Sequence, residues 1–245
     1  MVPRVAACLG SSSTAARGIY DWIGDVAKRP GNESWRFRRF AAGGDLAYSG
    51  LQRVDEIVAC QPDAVIVLLG GNDVLASVFP NVARILGGWK RLPRRPSPDG
   101  YRENMTGIVR QLAGRTSARL ALCSIQPIGE DPTPADPIQA ELNRLVEDYN
   151  AILREIASAE DVTYLPFYER MWELILASPG SPFTRFDFLS FYRDVFRQYV
   201  LQWSNDEIGA HSGWKVHRDG IHLNSRSGRL LADVVHGFLR ASDAG

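Results

Sequence analysis

An α/β fold, built on a parallel sheet covered on both faces, is predicted by three features of this chain. Strand-like and helix-like stretches alternate along most of its 245 residues. Three runs, 5–9, 64–69 and 120–125, are almost wholly apolar, as strands buried on both faces must be. Between them, apolar residues recur at the three-and-four spacing of amphipathic helices.

In chain order, residues 5–9 form the first strand and run into Gly10-Ser11-Ser12-Ser13-Thr14. Residues 36–42 form the second and end at Gly43-Gly44-Asp45. Leu51, Val54, Ile57 and Val58 mark one helical stripe. The third strand, 64–69, leads into Gly70-Gly71-Asn72-Asp73. Residues 90–96 are a basic, proline-marked loop, read as solvated. Met105, Ile108, Val109 and Leu112 mark a second stripe before the fourth strand, 120–125. Leu145, Tyr149, Ile152 and Ile156 mark a third before the fifth strand, 162–165. The last helix is expected over 228–239, with Ser225 as its cap.

Residues 166–210 fit the alternation badly, being long and rich in aromatics. Phe188, Phe191, Tyr192, Val195, Phe196, Tyr199, Val200 and Trp203 recur there at helical spacing. The stripe reads first as packing, and as a cap over an acyl pocket in the sharper version. Without repeats or linkers, the expectation is a single domain over 1–245 with a helical insertion or cap at 166–210.

Composition removes several function classes. The 28 basic and 28 acidic residues cancel, so no net field favours nucleic acid or an anionic membrane. No run approaches the roughly 20 apolar residues of a membrane span, so no stable membrane insertion is expected. Cys8, Cys60 and Cys123 lack metal-ligand spacing and read as buried free thiols, which suits a reducing compartment. Residues 5–9 are too short for a secretory core, so a cytoplasmic location is expected. His211, His217 and His222 match no metal-binding pattern, and no metal is expected.

A sheet ordered 2-1-3-4-5 brings the carboxyl ends of its first three strands to one rim, where ligands bind in open α/β sheets. Ser12, Gly44 and Asn72 then meet there, and Asp219-Gly220-Ile221-His222 arrives from the loop before the last helix. These are parts for acyl transfer. A serine hydroxyl needs a base to become a nucleophile. His222 has the chemistry for that near neutrality. Asp219, three residues earlier, can fix the ring tautomer and stabilise the imidazolium. The Ser12 and Gly44 N–H groups and the Asn72 amide are candidate oxyanion donors, the first two at expected helix N-termini. The Gly-x-Ser-x-Gly elbow of another esterase fold is absent.

In these blocks the chain resembles the SGNH (GDSL-type) hydrolases. Gly10-Ser11-Ser12 stands for the family's Gly-Asp-Ser, Gly43-Gly44-Asp45 for its second block and Gly70-Gly71-Asn72-Asp73 for its third. Asp219 to His222 matches its Asp-x-x-His. The resemblance implies a flavodoxin-like three-layer α/β/α fold with a five-stranded parallel sheet. It further implies a Ser12–His222–Asp219 triad, an oxyanion hole from Ser12, Gly44 and Asn72, and no cofactor. Ser11 replaces the usual aspartate, and Arg39 stands where the second block often carries asparagine.

The expected reaction is hydrolysis of a small-molecule carboxylic ester (acyl, lipid, thio- or acetyl) through a Ser12 acyl-enzyme. Ser11, Ser13, Asp45, Asp73, Gln126, Phe188, Phe191 and Tyr192 are candidates to touch substrate. Residues 126–130, after the fourth strand, should edge the same rim. Two other readings use the same residues. One is acyl transfer to an alcohol. The other is a flavodoxin-like module whose hydroxyls, Ser11 to Thr14, cradle a phosphate.

Overall fold

Five strands, β1 (Arg4–Gly10), β2 (Trp35–Ala41), β3 (Ala64–Leu68), β4 (Arg119–Cys123) and β5 (Thr163–Leu165), pair in parallel in the order β2-β1-β3-β4-β5. The structure is a computed structural model and describes residues 3–241; the side chains of 188–192 lie outside the described residues, and with them the expectations for Phe188, Phe191 and Tyr192. Each predicted strand is present to within a residue or two at either end.

Helices cover both faces. After β1 come α1 (Ser12–Ala15) and α2 (Trp22–Ala27), and after β2 come α3 (Ala47–Leu51) and α4 (Val54–Ala59). Between β3 and β4 lie α5 (Gly71–Val78), α6 (Pro80–Trp89) and α7 (Pro98–Arg115), and between β4 and β5 lies α8 (Pro137–Ala159). The chain ends with α9 (Phe167–Ala177), α10 (Phe188–Tyr199), α11 (Asn205–His211) and α12 (Ser225–Arg240).

Strand alternation divides the interior into two cores. Ala7, Leu9, Val65 and Val67 face one core, filled by α3 to α8 through residues such as Ile57, Leu75, Ile108 and Leu153. Ala6, Cys8, Ile66 and Leu68 face the other, filled by Trp22 and Val26 of α2, Met171 and Ile175 of α9, and Leu231 and Val235 of α12. Because both faces are covered, the central strands carry no polar face. Each fully buried Leu, Ile or Val contributes roughly 1.5–3 kcal/mol, which the helical layers supply by excluding water.

Five expectations change. The stripe from Leu51 to Val58 is two helices, because the chain tightens at Arg53, whose N–H reaches back only three residues to Gly50 O, and α4 starts after it. The cap of α12 is Asn224, whose side chain accepts from the Arg226 and Ser227 N–H groups; Ser225 bonds Asp206 instead. Cys60 is only partly buried, while Cys8 and Cys123 are buried. Within 166–210, α9 belongs to the layer packed on the sheet, since Phe167, Met171 and Ile175 sit in the second core. Along the aromatic stripe, Phe196 and Tyr199 are exposed (53% and 63%), so that half is not interior packing.

Candidate active site

β1 has β2 on one side and β3 on the other, so the strand order switches sides there and a crevice opens at the carboxyl ends. Ser12 stands there because the turn out of β1 is unusually tight. A Cβ on Gly10 would lie 2.0 Å from Thr14 Oγ1, so only glycine lets the strand pass directly into the single turn of α1. Ala16, at φ 54°, closes that turn and donates its N–H to Ser12 O. Arg39 reaches across from β2, donates to Thr14 O at 3.0 Å and pairs with Asp21. The residue that departs from the family's second block thus props the end of the Ser12 turn.

His222 Nε2 lies 2.9 Å from Ser12 Oγ, and His222 Nδ1 lies 2.7 Å from Asp219 Oδ2. Asp219 Oδ1 accepts the N–H groups of Ile221 (3.1 Å) and His222 (2.8 Å). The three-residue spacing therefore closes a local turn in which one carboxylate oxygen holds the backbone and the other faces the ring. Gly220, at φ 85°, packs where a Cβ would strike Phe183 and Trp214. Burial opposes charge on Asp219, but His222 and the two N–H groups outweigh it and hold the carboxyl well below its ordinary value. The Asp219 side chain is about one-fifth exposed, so water reaches the edge of the pair.

Asn72 lies in the first turn of α5. Gly70 precedes it at φ 128°, where a Cβ would meet Ile125 Cδ1 at 2.3 Å. The Asn72 amide donates one N–H to Asp45 O at 2.8 Å, tying the third block to the second. Gly44, at φ 74°, sits in the turn ahead of α3 rather than at its N-terminus, since the cap is Leu46.

Several expected substrate contacts are turned inward. Asp45 is 2% exposed and pairs with Arg53 (3.0 Å) and Lys90 (2.8 Å), while accepting from Ala42 N. Lys90 is accordingly not part of a solvated loop; two ionic contacts satisfy a carboxylate that supports the Gly43-Gly44 turn. Asp73 is buried, accepts the Ala47 N–H, and is pushed up to about 7 by desolvation, which outweighs its backbone hydrogen bonds. Gln126 is buried and donates to Ile221 O. Ser13 and Thr14 are buried beneath the turn, so the run of hydroxyls presents no phosphate cradle; Ser11 and Ser12 stay part-exposed.

Beside His222 opens a cavity of about 310 Å³, within the range of small-ligand sites. Phe183, Phe186, Trp214 and Ile221 give it apolar walls, and Thr184, Arg185 and Asp194 add polar groups. Its aromatic lining near 183–186 and Trp214 drew no attention in the sequence, because these residues keep no regular spacing. Glu130 and His217 were also missed as a pair: separated by 87 positions, they meet at 2.9 Å with no exposure. Among the described residues no cluster of three His, Cys, Asp or Glu side chains is arranged to hold a metal ion.

The arrangement can transfer a proton from a serine hydroxyl to an imidazole while a carboxylate steadies the ring. The model of the GDSL-like lipase/acylhydrolase family matches residues 8–226, and so spans every one of these groups. The chain belongs to this family. It is an esterase of the SGNH type. No curated protein matches it. Its fold is similar to that of Axe2, an acetylxylan esterase from Geobacillus stearothermophilus (TM-score 0.65, 15% identity, covering 98% of this chain and 94% of Axe2). The lipase/acylhydrolase from Enterococcus faecalis is also similar (TM-score 0.60, 17% identity, 98% and 96% covered). So is TesA (TM-score 0.61, 19% identity, 97% and 99% covered). Among the described residues of this SGNH esterase, no helix is long and apolar enough to cross a membrane.

Proposed function

We propose that this esterase cleaves small carboxylic esters through an acyl-enzyme on Ser12. The single observation that carries this is the continuous hydrogen-bonded line from Ser12 Oγ through His222 to Asp219. His222 Nε2 takes the Ser12 proton as Oγ attacks the ester carbon, and Asp219 holds the proton on Nδ1. The tetrahedral oxyanion is received by the Ser12 and Gly44 N–H groups and the second N–H of the Asn72 amide. Collapse expels the alcohol, which takes the proton from Nε2. Water, deprotonated by the same nitrogen, attacks the acyl-enzyme, and collapse returns that proton to Ser12 and releases the acid.

The cavity beside His222, about 310 Å³, is of a size that takes a small ligand and so supports a small-molecule ester as substrate. Its aromatic walls favour an apolar or ring-faced surface and its charged rim a hydroxyl-bearing one. A fluorophosphonate that labels the wild type at Ser12, with labelling and p-nitrophenyl acetate turnover both lost in Ser12→Ala, is the expected result. Turnover undiminished in Ser12→Ala would overturn the reading.

A further inference from the structure

Asp219 and His222 ride on a loop, residues 215–222, whose only regular feature is a bridge between His217 and Leu223. Such a segment does not place an imidazole against a hydroxyl by itself. Asn224 and Ser227 at the start of α12 donate to the Lys215 and Val216 carbonyls, and Arg218 donates to Gly18 O. The densest set of contacts, and the one that reaches Ile221 beside the ring-bearing residue, comes from residues 126–130, which leave the carboxyl end of β4.

Glu130 is the centre of that brace. Its Oε1 accepts the Val216 and His217 N–H groups, each at 2.8 Å, and faces His217 Nδ1 at 2.9 Å. Its Oε2 accepts the Lys215 N–H at 2.7 Å. On the far side of the ring, His217 Nε2 lies 2.9 Å from Pro127 O. The ring is thus held from both edges, by the Glu130 carboxylate and by the Pro127 carbonyl. Neither residue is exposed. Two further rungs join the same segments: Gly129 donates to Gly220 O at 2.8 Å, and Gln126 Nε2 donates to Ile221 O at 3.2 Å. Room for the carboxylate depends on Gly180, where a Cβ would lie 2.1 Å from Glu130 Oε2.

A buried polar pair of this kind is a poor way to gain stability, since an apolar pair of similar volume often serves as well. What it does supply is direction, because four donors of fixed geometry converge on one carboxylate. We propose that the Glu130–His217 pair, with Gln126 and the Gly129 N–H, is a positioning element of loop 215–222 that helps set where the His222 ring meets Ser12 Oγ. This rests on the acyl-enzyme reading above. Neither residue lines the cavity beside His222, so the pair acts on turnover through the loop and not on substrate binding.

The test compares Glu130→Gln, which keeps an oxygen acceptor but removes the charge, with Gln126→Ala. For Glu130→Gln, kcat should fall of order ten- to a hundredfold with KM within about twofold, as expected for reacting groups displaced by a fraction of an ångström. The downfield proton resonance of His222 Nδ1–H, assigned by its loss in Asp219→Asn, should shift or broaden in the same variant. Gln126→Ala, which cuts one rung, should lower kcat by a smaller factor, and it carries the test where Glu130→Gln does not fold. Unchanged kcat in the folded variants would overturn the proposal. A wild type without Ser12-dependent turnover would refute the acyl-enzyme reading instead. An unmoved His222 resonance in Glu130→Gln, or in Gln126→Ala where the former does not fold, would overturn the positioning role even then.

Discussion

The side-chain amide of Asn72 spends one of its two N–H groups on the backbone carbonyl of Asp45, 2.8 Å away. That bond links the loops after β3 and β2 and fixes the direction of the second N–H. Asn72→Ala removes both. kcat should fall by about 10²–10³, the usual cost of an oxyanion donor, with KM nearly unchanged. Stability should fall by only about 1 kcal/mol, the net value of one hydrogen bond. Steady-state kinetics with p-nitrophenyl acetate beside a denaturation curve separates the two effects, and a variant with wild-type kcat would remove Asn72 from the oxyanion site.

Asp219→Asn should leave the local turn intact, because an amide oxygen still accepts the Ile221 and His222 N–H groups. Its NH₂ cannot accept from Nδ1, so the ring takes the wrong tautomer and kcat should fall by up to about 10⁴. The same variant reports on acid stability. The folded-state carboxyl lies below its ordinary 3.8. Its contribution is therefore complete above about pH 4 and is lost as pH falls further. Wild type should lose stability more steeply than Asp219→Asn below that point, and parallel acid denaturation curves would contradict the assignment.

Asp73 has the opposite sign. Its value is raised to about 7 from 3.8, so between those limits the folded chain holds a proton that the unfolded chain releases. Stability therefore falls as pH rises through this window, by at most about 1.4 kcal/mol per pH unit from this group. Asp73→Asn retains an oxygen for the Ala47 N–H and abolishes the titration. Urea midpoints measured near pH 5 and near pH 8 should show the variant gaining on wild type at the higher pH; an equal difference at both would refute the burial argument.

Gly70→Ala should be among the most damaging single-methyl changes in the chain. A φ of 128° costs an L-residue of order 1–3 kcal/mol, and the added Cβ would also meet Ile125 Cδ1 at 2.3 Å. Denaturant unfolding gives the loss directly. A cost under about 0.5 kcal/mol would mean that the loop relaxes freely.

Much of the site was legible before the fold because its parts are local. Gly10 to Thr14, Gly70 to Asp73 and Asp219 to His222 each form a turn whose geometry is set by residues within four positions. The cap of α12 was misplaced by one residue because Asn224 and Ser225 are both good caps, and a partner 19 positions away, Asp206, claims the serine. Asp45, read as a substrate contact, and Lys90, read as part of a solvated loop, were misread for a similar reason: they meet 45 positions apart beneath a glycine turn.

Sequence alone determined the parallel α/β class, its strands and the identity of the serine, histidine, aspartate and asparagine blocks, because buried strands and tight turns write short-range patterns. Only the tertiary structure decided which polar groups face the crevice and which brace it from behind. Glu130 and His217 find each other only once the sheet brings residues 126–130 and 215–222 together, and burial away from water then makes each depend on the other for its hydrogen bonds.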